Sequence, residues 1–210
     1  LLAPDSFIPM AEETDLITEI DAWVLAEACR QASAWARSRS GSLTVAVNVS
    51  GRNFETGALL TRVRRVLKKT GLDPRLLELE LTEKTAVHQQ EASLSTLRKV
   101  RALGVRIAID DFGTGYSMLS RLQDFPVDIL KIDGSFMSKI TGPLVDAPIV
   151  AATVAMGRGL GLTVVAEGVE TEAQRTYLAR HGCDVLQGYL ISRPVELDEF
   201  LRIAGDHRSG

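Results

Sequence analysis

The stretch VRIAIDDFGTGYS, residues 105–117, joins an alternating apolar run to two adjacent aspartates and a glycine-rich turn. Apolar residues at every second position are typical of a β-strand, so we predict a strand over 105–110. Two neighbouring carboxylates repel each other, and burial also removes their hydration. Both effects cost free energy unless a positive charge lies between the carboxylates. The stretch therefore predicts a strand that ends at a site for a cation.

Five further β-rich runs and six helical patterns repeat this strand-and-helix rhythm along the chain. The runs are 43–50, 76–82, 128–133, 162–168 and 185–190, and the helical patterns are 22–36, 58–71, 93–104, 147–161, 172–182 and 196–204. Such alternation indicates βαβ units, a parallel sheet and right-handed connections. Both a doubly wound open sheet and a (β/α)8 barrel fit it. Since a barrel needs eight strands and about 250 residues, a barrel here would lack about two strands, which belong before Leu1.

Composition narrows the class of protein. A chain of 210 residues with 45% hydrophobic and 24% charged residues is typical of one globular domain, which we predict over 1–204, followed by a disordered tail over 205–210. The net charge of −3 does not favour a DNA or RNA partner. No apolar run approaches the roughly 20 residues of a membrane span, so we expect no membrane contact within the chain. Cys29 and Cys183 lack metal-binding spacing and indicate reduced thiols in a cytoplasmic protein.

Every predicted strand reaches its carboxyl end with a polar or ionisable side chain. In chain order these residues are Asn48, Glu80, Asp110, Lys131, Glu167 and Gln187. The carboxyl ends of parallel strands lie on one side of a sheet or barrel, where α/β enzymes place their chemistry. One polar residue at a strand end is ordinarily a loop boundary, but the same feature at all six predicts one shared site.

The residue types at these ends favour a divalent cation. Carboxylate and amide oxygens suit Mg²⁺ or Mn²⁺, and Asp110 with Asp111 could hold two ions, with Asp110 shared. Two such ions activate a water and stabilise the attacking and leaving oxygens of a phosphoryl displacement. Lys131 would stabilise negative charge or orient the water. The FGTGYS segment, 112–117, could bind a phosphate, cover the site or form a simple tight turn.

Seven segments together form a highly specific set spread over nearly the whole chain. They are FIPMAEETDLI (7–17), VAVNVS (45–50), LELELTE (77–83), IAIDDFGTGYSMLSRL (107–122), VDILKIDGSF (127–136), VVAEGVET (164–171) and QGYLISRP (187–194). In this order and spacing they resemble the EAL family of bacterial cyclic di-GMP phosphodiesterases. The resemblance implies a TIM-like (β/α)8 barrel of the α/β class and metal-dependent hydrolysis of cyclic di-GMP to linear pGpG.

The resemblance also implies two metal sites, for Mg²⁺ or Mn²⁺. Asn48, Glu80 and Asp110 are similar to the ligands of a first metal. Asp111 and Glu167 are similar to the ligands of a second metal, and Asp110 bridges the two.

Catalytic and supporting roles follow from the same resemblance. Lys131 resembles the residue that holds the catalytic water, and Glu167 resembles a residue with a base-like role. Glu83 corresponds to the glutamate that anchors the DDFGTGYS loop, which in the family is a lid coupled to a dimer, so a homodimer through the loop after Asp111 is expected. Glu170 and Gln187 resemble a site-supporting and a substrate-contacting residue.

One family feature is absent from these 210 residues. The Glu-Ala-Leu motif, whose glutamate binds metal and whose following arginine contacts substrate phosphate, belongs upstream of FIPMAEE, where the strand count is also short. We therefore expect the parent protein to be active. This piece alone should be weakly active or inactive. A sensor, a nucleotide cyclase domain or a membrane anchor could lie upstream. The alternative function is a cyclic di-GMP receptor or interaction domain that does not cleave its ligand.

Overall fold

The structure, a computed structural model, describes residues 3–37, 43–55, 57–87, 91–114, 122–142 and 147–206. Within these ranges the α-helices are α1 (Ile8–Glu12), α2 (Leu16–Arg37), α3 (Arg52–Glu55), α4 (Leu59–Thr70), α5 (Glu83–Val87), α6 (Glu91–Arg101), α7 (Pro148–Gly159), α8 (Glu172–His181) and α9 (Leu197–Asp206). The strands are β1 (Val45–Asn48), β2 (Leu77–Thr82), β3 (Arg106–Phe112), β4 (Ile129–Ile132), β5 (Thr163–Ala166) and β6 (Val185–Leu186). Short 3₁₀ turns cover Pro4–Ser6, Pro74–Leu76 and Gly134–Lys139. The predicted alternation of strands and helices is confirmed.

The chain divides into two compact units, and the first spans Leu1–Ile107. In this unit β1 and β2 pair in parallel, and the register ends with Asn48 opposite Glu80. Helix α2 packs against β1 and α4. Since both faces of β2 are buried, its alternating leucines and glutamates are all enclosed. A parallel strand buried on both faces is typical of an α/β fold.

The second unit spans Ala108–Gly210 and includes most of β3 together with β4, β5 and β6. These strands pair in parallel, and each pairs with its neighbour in sequence. A doubly wound sheet reverses its strand order at a switch point, whereas a barrel keeps sequential order. The four sequential strands therefore favour the barrel. Helix α7 packs on β5, and its buried Val150 and Val154 join Val164 in the core of this unit.

Several predicted boundaries differ from the structure. Helix α2 begins at Leu16 rather than at residue 22, and β3 continues through both aspartates to Phe112. The strand predicted over 185–190 ends at Leu186, because the amides of Ile191 and Ser192 bond to the carbonyl oxygen of Gly188 and close a turn. Helix α9 includes residues 205 and 206, and residues 207–210 lie outside the described part. The single domain over 1–204 stays a prediction.

None of the described helices has both the length and the apolar character needed to cross a membrane.

A glycine allows α7 to approach β5 closely. A Cβ atom built on Gly157 would lie 2.6 Å from Cγ2 of Val164 and 3.4 Å from Cδ2 of Leu130. Val164 is fully buried, and its β-branched side chain has little rotamer freedom. A larger residue at this position would therefore push the helix away from the sheet.

We predict that Gly157→Ala lowers the free energy of unfolding by about 1–3 kcal/mol, because the added methyl group overpacks the contact. Gly159→Ala is the matched control, since a Cβ there meets nothing within 4 Å. The control should leave stability unchanged or raise it by up to about 1 kcal/mol, through better helix propensity. Urea unfolding followed by circular dichroism measures both. Equal effects of the two substitutions would contradict the packing argument.

Candidate metal centre

The predicted site residues fall into two groups, one in each compact unit. Asn48, Glu80 and Glu83 belong to the first unit. The second unit holds Asp110, Asp111, Lys131, Glu167, Glu170 and Gln187.

In the second unit, a bulge in β3 controls the direction of the aspartates. Ile109 pairs with Leu130 and Phe112 with Ile132, so β3 advances three residues while β4 advances two. Asp111 has a φ of 55°, in the left-handed region that non-glycine residues other than Asn and Asp rarely adopt. Neighbouring side chains of a regular strand point to opposite faces, and a bulge with one left-handed residue removes this restriction.

The bulge brings three carboxylates together. Oxygens of Asp110, Asp111 and Glu167 all lie within 4.8 Å of one another. Lys131 on β4 joins the group, with its Nζ 2.7 Å from Oε1 of Glu167 and 3.3 Å from Oδ1 of Asp110. The Lys131 side chain is only 5% exposed, and the two carboxylates are 18% and 13% exposed. The buried ammonium between Asp110 and Glu167 offsets part of the negative charge of the cluster.

Asp133 was not singled out from the sequence, yet it lies beside Asp111. Burial raises the pKa of Asp111 above its ordinary value, and the charges of Asp110 and Asp133 and a side-chain hydrogen bond with Asp133 raise it further, against the opposing effect of Lys131. Asp133 also accepts a hydrogen bond from the amide of Ser135 at 3.0 Å. In the strand predicted over 128–133, Asp133 lies two residues after Lys131 and on the same face, and this spacing was the sequence signal that could have identified it.

Glu167 and Gln187 follow directly after the neighbouring strands β5 and β6. The amide of Glu167 donates to the carbonyl oxygen of Ile132, and the amide of Gln187 donates to that of Ala166. Val169 and Gln187 are joined by a backbone bond of 3.0 Å. Gly188 permits this approach, since a Cβ there would lie 2.3 Å from the backbone nitrogen of Val169. The structure thus places the backbone around both predicted residues in one strand-end layer.

Glu170 is positioned by a helix cap that the sequence pattern left unnoticed. Oε1 of Gln174 accepts hydrogen bonds from the amides of Glu170, at 2.7 Å, and Thr171, at 3.0 Å. The hydroxyl of Thr171 accepts from the amide of Gln174 and completes a capping box. The buried amide of Gln174 also donates to the carbonyl oxygen of Met137 at 2.9 Å. The Thr-x-x-Gln spacing before a helical pattern was the available signal.

In the first unit, Asn48 and Glu80 lie opposite each other in the paired ends of β1 and β2. The amide of Val49 donates to the carbonyl oxygen of Glu80 at 2.9 Å and extends the pairing by one step. Asn48 is exposed, whereas Glu80 is buried. Glu83 begins α5 and is only 2% exposed. The register therefore places Asn48 and Glu80 at neighbouring strand ends of this unit.

The predicted FGTGYS loop is described only in part. Phe112 belongs to β3, and the amide and hydroxyl of Thr114 donate to the carbonyl oxygen of Asp111. Residues 115–117 lie outside the described part of the chain, so the lid and the dimer contact predicted there stay predictions.

The donor chemistry of the second unit fits a hard divalent cation. Two carboxylate oxygens that bind one Mg²⁺ at about 2.0–2.1 Å lie at most about 4.2 Å apart. Oxygens that lie within 4.8 Å of one another therefore need only a small side-chain shift to share such an ion. Among the residues that the structure describes in this cluster, four carboxylates, those of Asp110, Asp111, Asp133 and Glu167, accompany the ammonium of Lys131. This excess of negative charge is what a cation would offset.

Comparison with known proteins identifies the family. The EAL domain family matches residues 1–194. The bifunctional diguanylate cyclase/cyclic di-GMP phosphodiesterase MucR of Pseudomonas aeruginosa is 47% identical over 201 residues, which is 96% of this chain and 29% of MucR. The cyclic di-GMP phosphodiesterase NbdA of the same species is 43% identical over 96% of this chain and 26% of its own length. The chain thus spans only about a quarter of these relatives.

Solved structures show the same relationship. The P. aeruginosa MucR phosphodiesterase in complex with c-di-GMP has a TM-score of 0.88 at 46% identity, covering 95% of this chain and 81% of that one. The EAL domain of Mycobacterium smegmatis DcpA has a TM-score of 0.82 at 40% identity, covering 90% of this chain and 84% of that one. The predicted fold class, a TIM-like (β/α)8 barrel of the EAL type, is confirmed. The chain belongs to the EAL domain family.

Proposed function

We propose that this domain hydrolyses cyclic di-GMP to linear pGpG in a reaction that depends on Mg²⁺ or Mn²⁺. The observation that carries the proposal is the buried Lys131 ammonium between Asp110 and Glu167, with Asp111 beside them. Two similar proteins, MucR and NbdA, are named as cyclic di-GMP phosphodiesterases, and the MucR structure contains c-di-GMP.

Five side chains are proposed as metal ligands. Asn48 and Glu80 would be ligands of one cation, and Asp110, Asp111 and Glu167 would hold the other. Bound cations of this kind lower the pKa of water and neutralise charge on the attacking and leaving oxygens. The close grouping of the last three carboxylates supports their assignment.

Lys131 and Glu167 are proposed to handle the water and its proton. In hydrolysis, the water oxygen bonds to phosphorus, the bond from phosphorus to the ribose 3′ oxygen breaks, and that oxygen gains a proton. Glu167 would accept a proton from the water, and Lys131 would hold the water and stabilise the charge that develops on the phosphate. The 2.7 Å contact between the two side chains supports this pairing.

Three further residues are proposed to support the substrate or the loop. Gln187 would contact the nucleotide, since it is exposed directly after β6. Glu170 would support the site from the loop that Gln174 fixes. Glu83 would anchor the segment after Asp111. We also propose that the domain forms a homodimer through the loop after Asp111 and acts in the cytoplasm. A sensor or nucleotide cyclase domain of the parent protein would regulate it.

A receptor that binds cyclic di-GMP without cleaving it is the alternative. A pure receptor has no need of a lysine that positions water, so the buried Lys131 cluster favours the enzyme. The two functions separate in one assay of the full-length protein, in which chromatography follows both bound nucleotide and linear product. Binding without any product would select the receptor.

We predict that Lys131→Met lowers kcat by about 10²–10⁴-fold with little change in KM, because the lost ammonium acts on the water and the developing charge. Lys139→Met is the matched control, since Lys139 is an exposed lysine in the turn Gly134–Lys139. Turnover of cyclic di-GMP to pGpG by the full-length protein gives both constants. A Lys131 variant with wild-type kcat would remove this residue from the mechanism.

Removal of divalent cations should abolish turnover, because the carboxylate cluster then lacks the charge that activates water. We expect EDTA to lower the rate at least about 10²-fold, and Mg²⁺ or Mn²⁺ to restore it. Ca²⁺ should inhibit, since its larger and looser coordination suits a two-metal water poorly. The same chromatographic assay measures each condition. Undiminished turnover in EDTA after exhaustive dialysis would contradict the metal requirement.

A further inference from the structure

A partly buried polar network in the first unit joins three helices to the loop that follows β1. Oδ2 of Asp21, on α2, accepts hydrogen bonds from the amide of Ser50 at 3.1 Å and from its hydroxyl at 2.6 Å. The same oxygen accepts a bond from Nδ2 of Asn53 on α3. Arg62, on α4, donates to Oδ1 of Asn53 at 2.5 Å and to the carbonyl oxygen of Thr18 at 3.0 Å. None of these residues was a predicted site residue.

The chemistry of the partners fixes the orientation of Asn53. A carboxylate only accepts hydrogen bonds and a guanidinium only donates them. The Asn53 amide, which is 1% exposed, must therefore direct its nitrogen to Asp21 and its oxygen to Arg62. It links an anion to a cation, and each bond polarises the next.

The network lies directly beside Asn48. Ser50, whose amide and hydroxyl both bond to Asp21, is two residues beyond Asn48. Asp21, Asn48, Asn53 and Arg62 also line a cavity of about 10 Å³, which is room for about one water. The side chain of Asn48 and three residues of the network thus line the same cavity.

We infer that Asp21 is a positioning residue for Asn48, acting through the Ser50 loop, Asn53 and Arg62, so that the network sets the affinity of the first metal. The inference rests on the proposed function, in which Asn48 is a ligand. Asn48 is exposed at the last position of β1. The pairing with β2 ends at Val49, so the strand does not restrain the loop that follows. Metal ligands must be held to within about 0.5 Å, and buried hydrogen bonds behind the ligand are the usual means.

Deletion of the carboxylate would release the loop, and with it the position of Asn48, without changing the Asn48 side chain chemically. Three donor groups bond to one oxygen of Asp21, and its removal leaves these partly buried donors without that acceptor. Asp21→Ala should raise the Mn²⁺ dissociation constant by about 10-fold or more. Asp21→Asn keeps one acceptor oxygen without its charge and should raise it by about 3- to 10-fold.

Isothermal titration of Mn²⁺ into the full-length protein, without nucleotide, measures these constants independently of activity. Ser33→Ala is the control for simple destabilisation, because the buried Ser33 hydroxyl bonds to the carbonyl oxygen of Thr70 at 2.7 Å, outside the network. It should lower the melting temperature and leave Mn²⁺ affinity unchanged. Glu19→Ala controls for loss of an exposed carboxylate from the same helix, and it should change neither quantity.

A double-mutant cycle with Asn48→Ala decides whether Asp21 acts through Asn48. Asp21→Asn should weaken Mn²⁺ binding when Asn48 is present. In the Asn48→Ala background it should have no further effect. Equal affinities of wild type and Asp21→Asn, or an undiminished effect in that background, would overturn the inference. If Asp21→Ala does not fold, the affinity of the Asp21→Asn variant alone decides between these outcomes. A wild-type protein that binds no Mn²⁺ would instead overturn the proposed function.

Discussion

The extra residue of β3 opposite β4 gives Asp110 and Asp111 a shared direction that a regular strand would deny them. The bulge places Asp111 in the left-handed conformation, and aspartate is one of the few non-glycine residues that tolerate this conformation. The amide of Asp111 donates to Oδ1 of Asp110 at 3.0 Å, so the bulge also holds the first carboxylate. Without the bulge, the adjacent aspartates would point to opposite faces, and the cluster with Glu167 could not form.

Charge balance explains why such a strained corner persists. Lys131 lies on the adjacent strand and offsets part of the charge of Asp110 and Glu167, while the pKa of Asp111 stays above its ordinary value through burial and its acidic neighbours. The protein alone therefore compensates the cluster only in part. A structure that keeps local strain and uncompensated charge at one place is typical of a functional site.

The sequence predicted most of the fold and the identity of the acidic cluster, because both depend on local patterns. Alternation located the six strands, and the polar strand ends singled out Asp110, Lys131 and Glu167, whose side chains the structure brings together. The sequence did not predict the bulge. A one-residue insertion depends on how β3 pairs with β4, and it produces no periodic pattern of apolar residues in either strand. The sequence patterns also missed Asp133 and Asp21, whose importance lies in partners distant along the chain or on another element. The early end of β6 was missed because turn bonds to Gly188 outweighed a strand-like composition.

The supporting residues share a physical logic in both units. Gln174 fixes the loop of Glu170 through its buried amide, and Asn53 fixes the loop after Asn48 through Asp21 and Arg62. An amide suits this task because it donates and accepts at once, so it can join a helix to a loop without adding a buried charge. The two units differ in what the amide joins. The side chain of Gln174 bonds to backbone groups, so it holds its loop beside the acidic cluster without adding a charge there. The side chain of Asn53 joins a carboxylate to a guanidinium, and the opposite charges of Asp21 and Arg62 offset each other across it.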